Sequence, residues 1–148
     1  MRIVKEAEER KNEILDVAGR LFGEQGYDAT STNDILKEIG IARGTLYYHF
    51  KSKEEILDAM IDRMTEQILE KAKSIVKQTE IPVLQRFTMM MLALNISDGS
   101  FGHEILEQVH KPQNALMHQK IQEKLLFEVT PLIATLTRAA WWRWPAAL

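Results

Sequence analysis

The chain has 148 residues, 45% of them hydrophobic, which suits one domain or one core with a small head attached. Its formal net charge is -2, so binding to DNA would need a local basic face. Because cysteine is absent, disulfide bridges and cysteine metal ligands are excluded. The charged residues 5–11 are unlike a signal peptide, and no apolar run reaches the ~20 residues that span a bilayer. We therefore expect a cytoplasmic protein with no membrane partner.

Apolar residues recur at three- and four-residue spacing through most of the chain, which predicts an all-α fold. Gly26 and Gly40 are expected to end the first two helices, and Thr32 is expected to cap the start of the second. Ser52 predicts the start of a long fourth helix, and Pro131 is expected to kink or divide the last one. The predicted helices cover residues 7–22, 32–40, 42–49, 52–78, 82–95 and 102–110, and continue from 112 to at least 136, with a turn at 98–100.

Residues 31–53 carry an unusual density of side chains that can contact phosphates and bases. A glycine turn leads from the second predicted helix into a short third helix, which is the arrangement of a helix-turn-helix. Arg43 opens the third helix, where its planar guanidinium can bind O6 and N7 of guanine together. Leu46 and Phe50, four residues apart, are expected to pack inward and brace this helix. The segment therefore makes double-stranded DNA the leading candidate partner.

The other polar residues of this segment suit contacts with base edges or with the DNA backbone. Gly44 lets the protein backbone approach DNA closely, and Thr45 can contact a phosphate oxygen or a thymine methyl group. Thr32 and Lys53 lie at helix starts, where the helix dipole favours an anion. Taken singly, Arg43 and His49 are ordinary surface residues, and one of Tyr47 and Tyr48 is expected to lie half in the core. Only the order and spacing of the whole set favour DNA. The DNA-binding candidates are Thr32, Asn33, Arg43, Gly44, Thr45, Tyr47, Tyr48, His49 and Lys53.

Three stretches of the chain resemble the N-terminal domain of the TetR family of transcriptional regulators. They read FGEQGY at residues 22–27, TSTNDI at 30–35 and IGIARGTLYYHFKSK at 39–53, within a match over residues 11–57. The resemblance implies an all-helical homodimer in which two DNA-binding heads sit on a larger body that binds a small effector. It also places Arg43, Gly44, Thr45, Tyr47 and His49 at the major groove and its flanking phosphates, and Tyr48, Lys53, Thr32 and Asn33 on the DNA backbone.

The resemblance also implies a division of the chain into two domains. We expect a helix-turn-helix DNA-binding domain over residues 1–52 and a helical effector-binding and dimerisation domain over residues 53–148. Family members are generally longer, and their last two helices form the dimer interface, whereas this chain has no predicted helix after the seventh. The body is therefore expected to be shorter than in the family.

Methionine and other apolar residues in the second domain indicate a site for an apolar effector. Methionine adapts to ligands of irregular shape, and ligand pockets are mostly apolar. Plain core packing is an equally good interpretation for each of these residues. The ligand-binding candidates are Phe87, Met90, Met91, Leu94 and Phe127.

We expect no catalytic residue, cofactor or metal ion. The chain has neither a glycine-rich phosphate loop nor a nucleophile elbow. His103 and Glu107 are four residues apart on a predicted helix, but a zinc site usually has at least three protein ligands. An enzyme or a metal carrier is therefore the third and least favoured interpretation.

The leading interpretation is a ligand-responsive repressor that binds a palindromic operator as a homodimer. The alternative is a truncated regulator that acts as a protein-interaction or effector-binding module with weak DNA binding. Residues 139–148, which contain all three tryptophans, bear on this choice. They are either an anchor at a dimer surface or membrane interface, or a truncated or out-of-frame end.

Overall fold

The computed structural model describes residues 2–94 and 111–141, and every regular element within these ranges is a helix. This confirms the predicted all-α fold. The elements are α1 (Arg2–Gln25), α2 (Thr32–Ile39), α3 (Arg43–His49), α4 (Lys53–Lys77), α5 (Val83–Leu94), a short 3-10 turn (Pro112–Asn114) and α6 (Ala115–Trp141). The predicted turn at residues 98–100, the predicted helix at 102–110 and the end of the tryptophan-rich tail lie outside the described residues.

The start of α2 is capped by Ser31, so the prediction that Thr32 is the cap was wrong by one residue. The Ser31 hydroxyl accepts a hydrogen bond from the Asp34 amide at 3.2 Å, and the Asp34 carboxylate accepts one from the Ser31 amide at 2.8 Å. These paired bonds form a capping box, and the hydrogen bonds from Ser31 lower the pKa of Asp34. The other end of α2 is as predicted, because Gly40 adopts the left-handed conformation with φ 75°.

The head has one apolar core, to which α1, α2, α3 and the first half of α4 all contribute. Leu46 and Phe50 point into it, as their spacing predicted. Met117 and Ile121 from the first turns of α6 also belong to this cluster. The core of the head is therefore completed by a helix that lies far along the sequence.

The body has a second, smaller core, in which residues of α4, α5 and α6 meet. Met90 of α5 is fully buried there beside Leu136 of α6. Arg86 is also buried, and its guanidinium donates to the Val76 carbonyl near the end of α4 at 2.7 Å. This bond satisfies a carbonyl at the negative end of the helix dipole. Pro131 lies inside α6, which continues through it undivided.

Ion pairs between α4 and α6 follow one side of the two helices. Lys120 contacts Glu54 at 3.0 Å and Asp58 at 2.7 Å, and Lys124 contacts Asp62 at 2.8 Å. Hydrogen bonds to these carboxylates raise the pKa of both lysines. Because exposed pairs contribute only about 0–1 kcal/mol each, they set the register of α6 along α4 more than they stabilise the fold.

Replacing Gly26 by alanine should destabilise the protein more than replacing Gly40. Both glycines have positive φ, 93° and 75°, so either substitution introduces backbone strain of about 1 kcal/mol. A Cβ at Gly26 would also lie 3.0 Å from Cβ and 3.1 Å from the carbonyl oxygen of Gln113, whereas the space at Gly40 is open. Urea unfolding followed by circular dichroism measures both losses, and equal losses would show that the 3-10 turn moves aside without cost.

Candidate nucleic-acid interface

One side of helix α3 packs against the core of the head, and the other side is exposed. Leu46 is fully buried and Phe50, just past the helix end, is 2% exposed, so these two side chains fix how α3 is rotated. Arg43, Gly44 and Tyr48 are exposed. The polar side of α3 is therefore free to contact another molecule.

Tyr47 connects the start of α3 to the start of α2. Hydrogen bonds from Thr32 and then from Arg43 lower the pKa of its hydroxyl. The Arg43 guanidinium carbon also lies 5.6 Å from the centre of the Tyr47 ring, within the range of a cation–π contact. The structure thus joins Thr32, Arg43 and Tyr47 in one chain of contacts, and this arrangement restricts the guanidinium before any partner binds.

The remaining candidates of the helix-turn-helix flank this chain of contacts. Tyr48 is 80% exposed, and its ring packs edge-on against His49 with 5.0 Å between ring centres. Thr45 and His49 are half-buried, whereas Asn33 is exposed near the start of α2. Hydroxyl, amide and ring N–H donors are the groups that usually bind DNA phosphates, and this surface brings several of them together.

Lys53 has a role within the head that the sequence did not predict. Its Nζ donates to the carbonyl oxygens of Tyr27 at 2.8 Å and Thr30 at 3.0 Å, and lies 4.1 Å from the centre of the Tyr27 ring. Burial raises the pKa of Tyr27. Lys53 therefore ties the loop between α1 and α2 to the start of α4, next to α3. The one indication in the sequence is a lysine in the first turn of a helix, where the dipole disfavours a cation without a partner.

The ligand-binding candidates do not converge on one cavity among the described residues. Met90 is fully buried in the body core, whereas Phe127 is 80% exposed on α6. Phe87 and Met91 are partly exposed on α5. Leu94 lines an open apolar groove of about 460 Å³ between α5 and α6, together with Leu125, Leu126, Val129 and Ile133. The side chains that line this groove are mostly apolar.

Residues 2–94 and 111–141 contain no group of three or more histidine, cysteine or acidic residues placed to hold a metal ion. The possible zinc ligands His103 and Glu107 lie outside these ranges. Within the same ranges, no helix is both long enough and apolar enough to cross a lipid bilayer.

The short α2, the glycine turn and the exposed polar side of α3 define a helix-turn-helix protein. Residues 14–60 match the model of the bacterial regulatory proteins of the tetR family. This region therefore carries the N-terminal domain of the tetR family of bacterial regulatory proteins.

Curated relatives are similar mainly over this region. The HTH-type transcriptional repressor KstR2 of Mycobacterium tuberculosis is 34% identical over 92 residues, which are 62% of this chain and 46% of KstR2. The HTH-type transcriptional regulator AcrR of Shigella flexneri is 48% identical over 52 residues, covering 35% of this chain and 24% of AcrR. The chain thus spans less than half of the length of each of these two relatives.

Similarity to solved structures extends further along the chain. The fatty acid degradation regulator FadR from Bacillus halodurans superposes with a TM-score of 0.65 and 22% identity, covering 87% of this chain and 66% of FadR. At this identity the likeness concerns the fold alone. It shows that the body, and not only the head, is folded as in this regulator.

Replacing Lys53 by methionine should lower the free energy of unfolding, because two hydrogen bonds from a charged donor and a cation–π contact are lost. We expect a loss of about 1–3 kcal/mol. Lys51→Met, two residues away at an exposed position, is the matched control and should change stability little. Urea unfolding of both variants tests this, and equal stability of the two would contradict the internal role of Lys53.

Proposed function

We propose that the protein is a ligand-responsive transcriptional repressor that binds a palindromic operator as a homodimer. The observation that carries this proposal is the exposed polar side of α3, held in place by the buried Leu46 and Phe50. To enter the major groove, a recognition helix must be packed against the protein on one side and exposed to solvent on the other. The printed names of KstR2 and AcrR, a repressor and a regulator, support the same class of function.

In this proposal Arg43 reads a base and its neighbours position it. A guanidinium restricted by Tyr47 and Thr32 loses less freedom when it binds O6 and N7 of guanine. Gly44, one residue further along α3, leaves open space in which no heavy atom lies within 4 Å of a Cβ placed there. That space lets the protein backbone come close to the edge of the duplex.

The flanking residues hold the phosphates on either side. Tyr48 and Asn33 are exposed on α3 and α2, and Thr45 and His49 add donors along the same helix. Lys53 contributes by fixing the loop that precedes α2, as well as by its positive charge. Residues 1–52 then form the DNA-binding domain, and residues 53–148 form the effector-binding and dimerisation domain.

The effector site is proposed at the apolar groove between α5 and α6. An apolar ligand beside Leu94 and Val129 would bear directly on α6. The other end of α6 packs in the core of the head through Met117 and Ile121, so a shift of this helix would move the head. The single helix thus connects the groove with the DNA-binding surface.

Replacing Arg43 by alanine should weaken binding to the operator by about 1–3 kcal/mol and relax specificity at one base position. The expected loss follows from a bidentate contact with one guanine. Fluorescence anisotropy with a set of single-base operator variants, at two salt concentrations, measures both effects. Arg43→Lys is the informative second variant, because it keeps the charge and loses the planar fork.

Gly44→Ala serves as the control for fold, since α3 gains a better helix former and Gly44 has open space around it. It should keep the unfolding free energy and still bind DNA less tightly, because the methyl group lies at the proposed contact surface. Unchanged operator affinity in both Arg43→Ala and Gly44→Ala would overturn the base-reading role of α3.

An apolar effector should raise the melting temperature of the protein and release it from the operator. Leu94→Asn places a polar group in the wall of the groove and should reduce that thermal shift severalfold, because apolar contacts with the ligand are lost. Thermal scans with a panel of apolar compounds provide the measurement, and Tyr48→Ala, on the head, is the control. A ligand whose thermal shift is the same in both variants would place the effector elsewhere.

A further inference from the structure

Arg86 is the only charged side chain that is buried among the described residues, and it is 4% exposed. Its Nη1 donates to the Val76 carbonyl at 2.7 Å, whereas its Nε is buried without a hydrogen-bond partner. A buried polar group that lacks a partner costs free energy, and a buried charge without a counter-charge costs more. The guanidinium therefore keeps an unused donor inside the apolar core of the body.

No acidic side chain neutralises Arg86 in the part of the chain that the structure describes. The ion pairs found there all involve other basic residues. Glu80, the acidic residue nearest to Arg86 in the sequence, is exposed in the loop between α4 and α5. The Val76 carbonyl supplies only the partial negative charge of a helix end. An anion would therefore complete the contacts of this guanidinium.

The bond to Val76 does not by itself require an arginine. A carbonyl at a helix end accepts equally well from a neutral donor, including water. Arginine instead carries five N–H donors in a planar fork, and an edge of that fork can bind both oxygens of a carboxylate. Because Nη1 is the atom that bonds to Val76, the edge formed by Nε and Nη2 is left for such a partner.

Arg86 lies in line with the apolar groove between α5 and α6. Arg86, Met90 and Leu94 follow one another at four-residue spacing along one side of α5, and Leu94 lines the groove. The distance along the helix axis from Arg86 to Leu94 is about 12 Å. Ile133 of α6 lines the groove and also packs against the cluster that contains Met90. Met90 thus separates the guanidinium from the groove, and its flexible side chain suits a wall that moves aside for a ligand.

We propose that the effector is an apolar compound with one carboxylate, which binds the Nε edge of Arg86 while the apolar part lies in the groove beside Leu94. This inference rests on the proposed function, because it specifies the chemical class of effector for the same groove. Burial of the apolar part and charge-assisted hydrogen bonds to the carboxylate both contribute to binding. The separation of about 12 Å matches an extended chain of roughly ten bonds.

The test compares decanoate with 1-decanol on the whole chain, without DNA. The two probes have the same number of carbon atoms and differ in the charge of the end group. A ligand that binds only the folded protein raises its melting temperature, so thermal scans over a concentration series give both affinities. Decanoate should bind the wild-type protein roughly 10-fold more tightly than 1-decanol. Equal affinities, or no binding of decanoate, would overturn the proposal.

Arg86→Met removes the guanidinium and keeps an unbranched side chain. It should weaken the binding of decanoate roughly 10-fold and leave that of 1-decanol unchanged. Lys77→Met is the matched control, because it removes a positive charge from an exposed position next to Val76 and should affect neither probe. An equal loss of decanoate binding in both variants would show that the anion responds to net charge and not to Arg86.

Arg86→Lys covers the case in which Arg86→Met does not fold, since it keeps the charge and a donor for the Val76 carbonyl. It lacks the planar fork, so decanoate should bind severalfold more weakly than to the wild-type protein, and 1-decanol equally well. A loss by the same factor for both probes would contradict the proposal, because Arg86 would then only maintain the fold of the body.

Operator binding separates this inference from the proposed function. If 1-decanol releases the operator as readily as decanoate does, the repressor role stands and the role of Arg86 is overturned. If decanoate binds through Arg86 but the protein binds no operator, the carboxylate site stands and the repressor role is overturned.

Discussion

The position of α3 depends on the burial of Leu46 and Phe50. Both side chains lie in a core built from α1, α2 and α4, and each fully buried apolar side chain of this size contributes about 1.5–3 kcal/mol. Because α3 has only seven residues, it would not be stable as an isolated helix. The core therefore sets the orientation of α3. The burial of Leu46 and Phe50 determines the directions in which the exposed side chains of this helix point.

Lys53 extends the same constraint to the loop before α2. By holding two loop carbonyls, it fixes the segment that leads to the capping box of Ser31 and Asp34. The start of α2 in turn positions Thr32, which bonds to Tyr47 on α3. The chain of contacts runs from α4 through the loop and α2 to the surface of α3. A residue whose positive charge suits a phosphate thus acts first on the geometry of its neighbours.

The sequence predicted what depends on local rules. Gly40 had to permit a left-handed turn, and the four-residue spacing of Leu46 and Phe50 implied a shared buried side. The capping residue of α2 was misplaced because Ser31 and Thr32 are both good caps, and only the pairing of Ser31 with Asp34 three residues later distinguishes them. The partners of Lys53 could not be predicted, since they are backbone carbonyls 23 and 26 residues away.

In the body, the sequence does not predict which apolar residues are buried. Apolar residues at helical spacing indicate that a helix has a buried side, but on α6 they occur all the way round, so spacing cannot separate the side that faces the core from the side that faces solvent. Leu136 is buried and Phe127 is exposed, although both fit the same pattern. Only the positions of α4 and α5 decide between them. A helix that packs into two cores thus has its buried sides set by its neighbours in the fold, and spacing along α6 alone does not distinguish them.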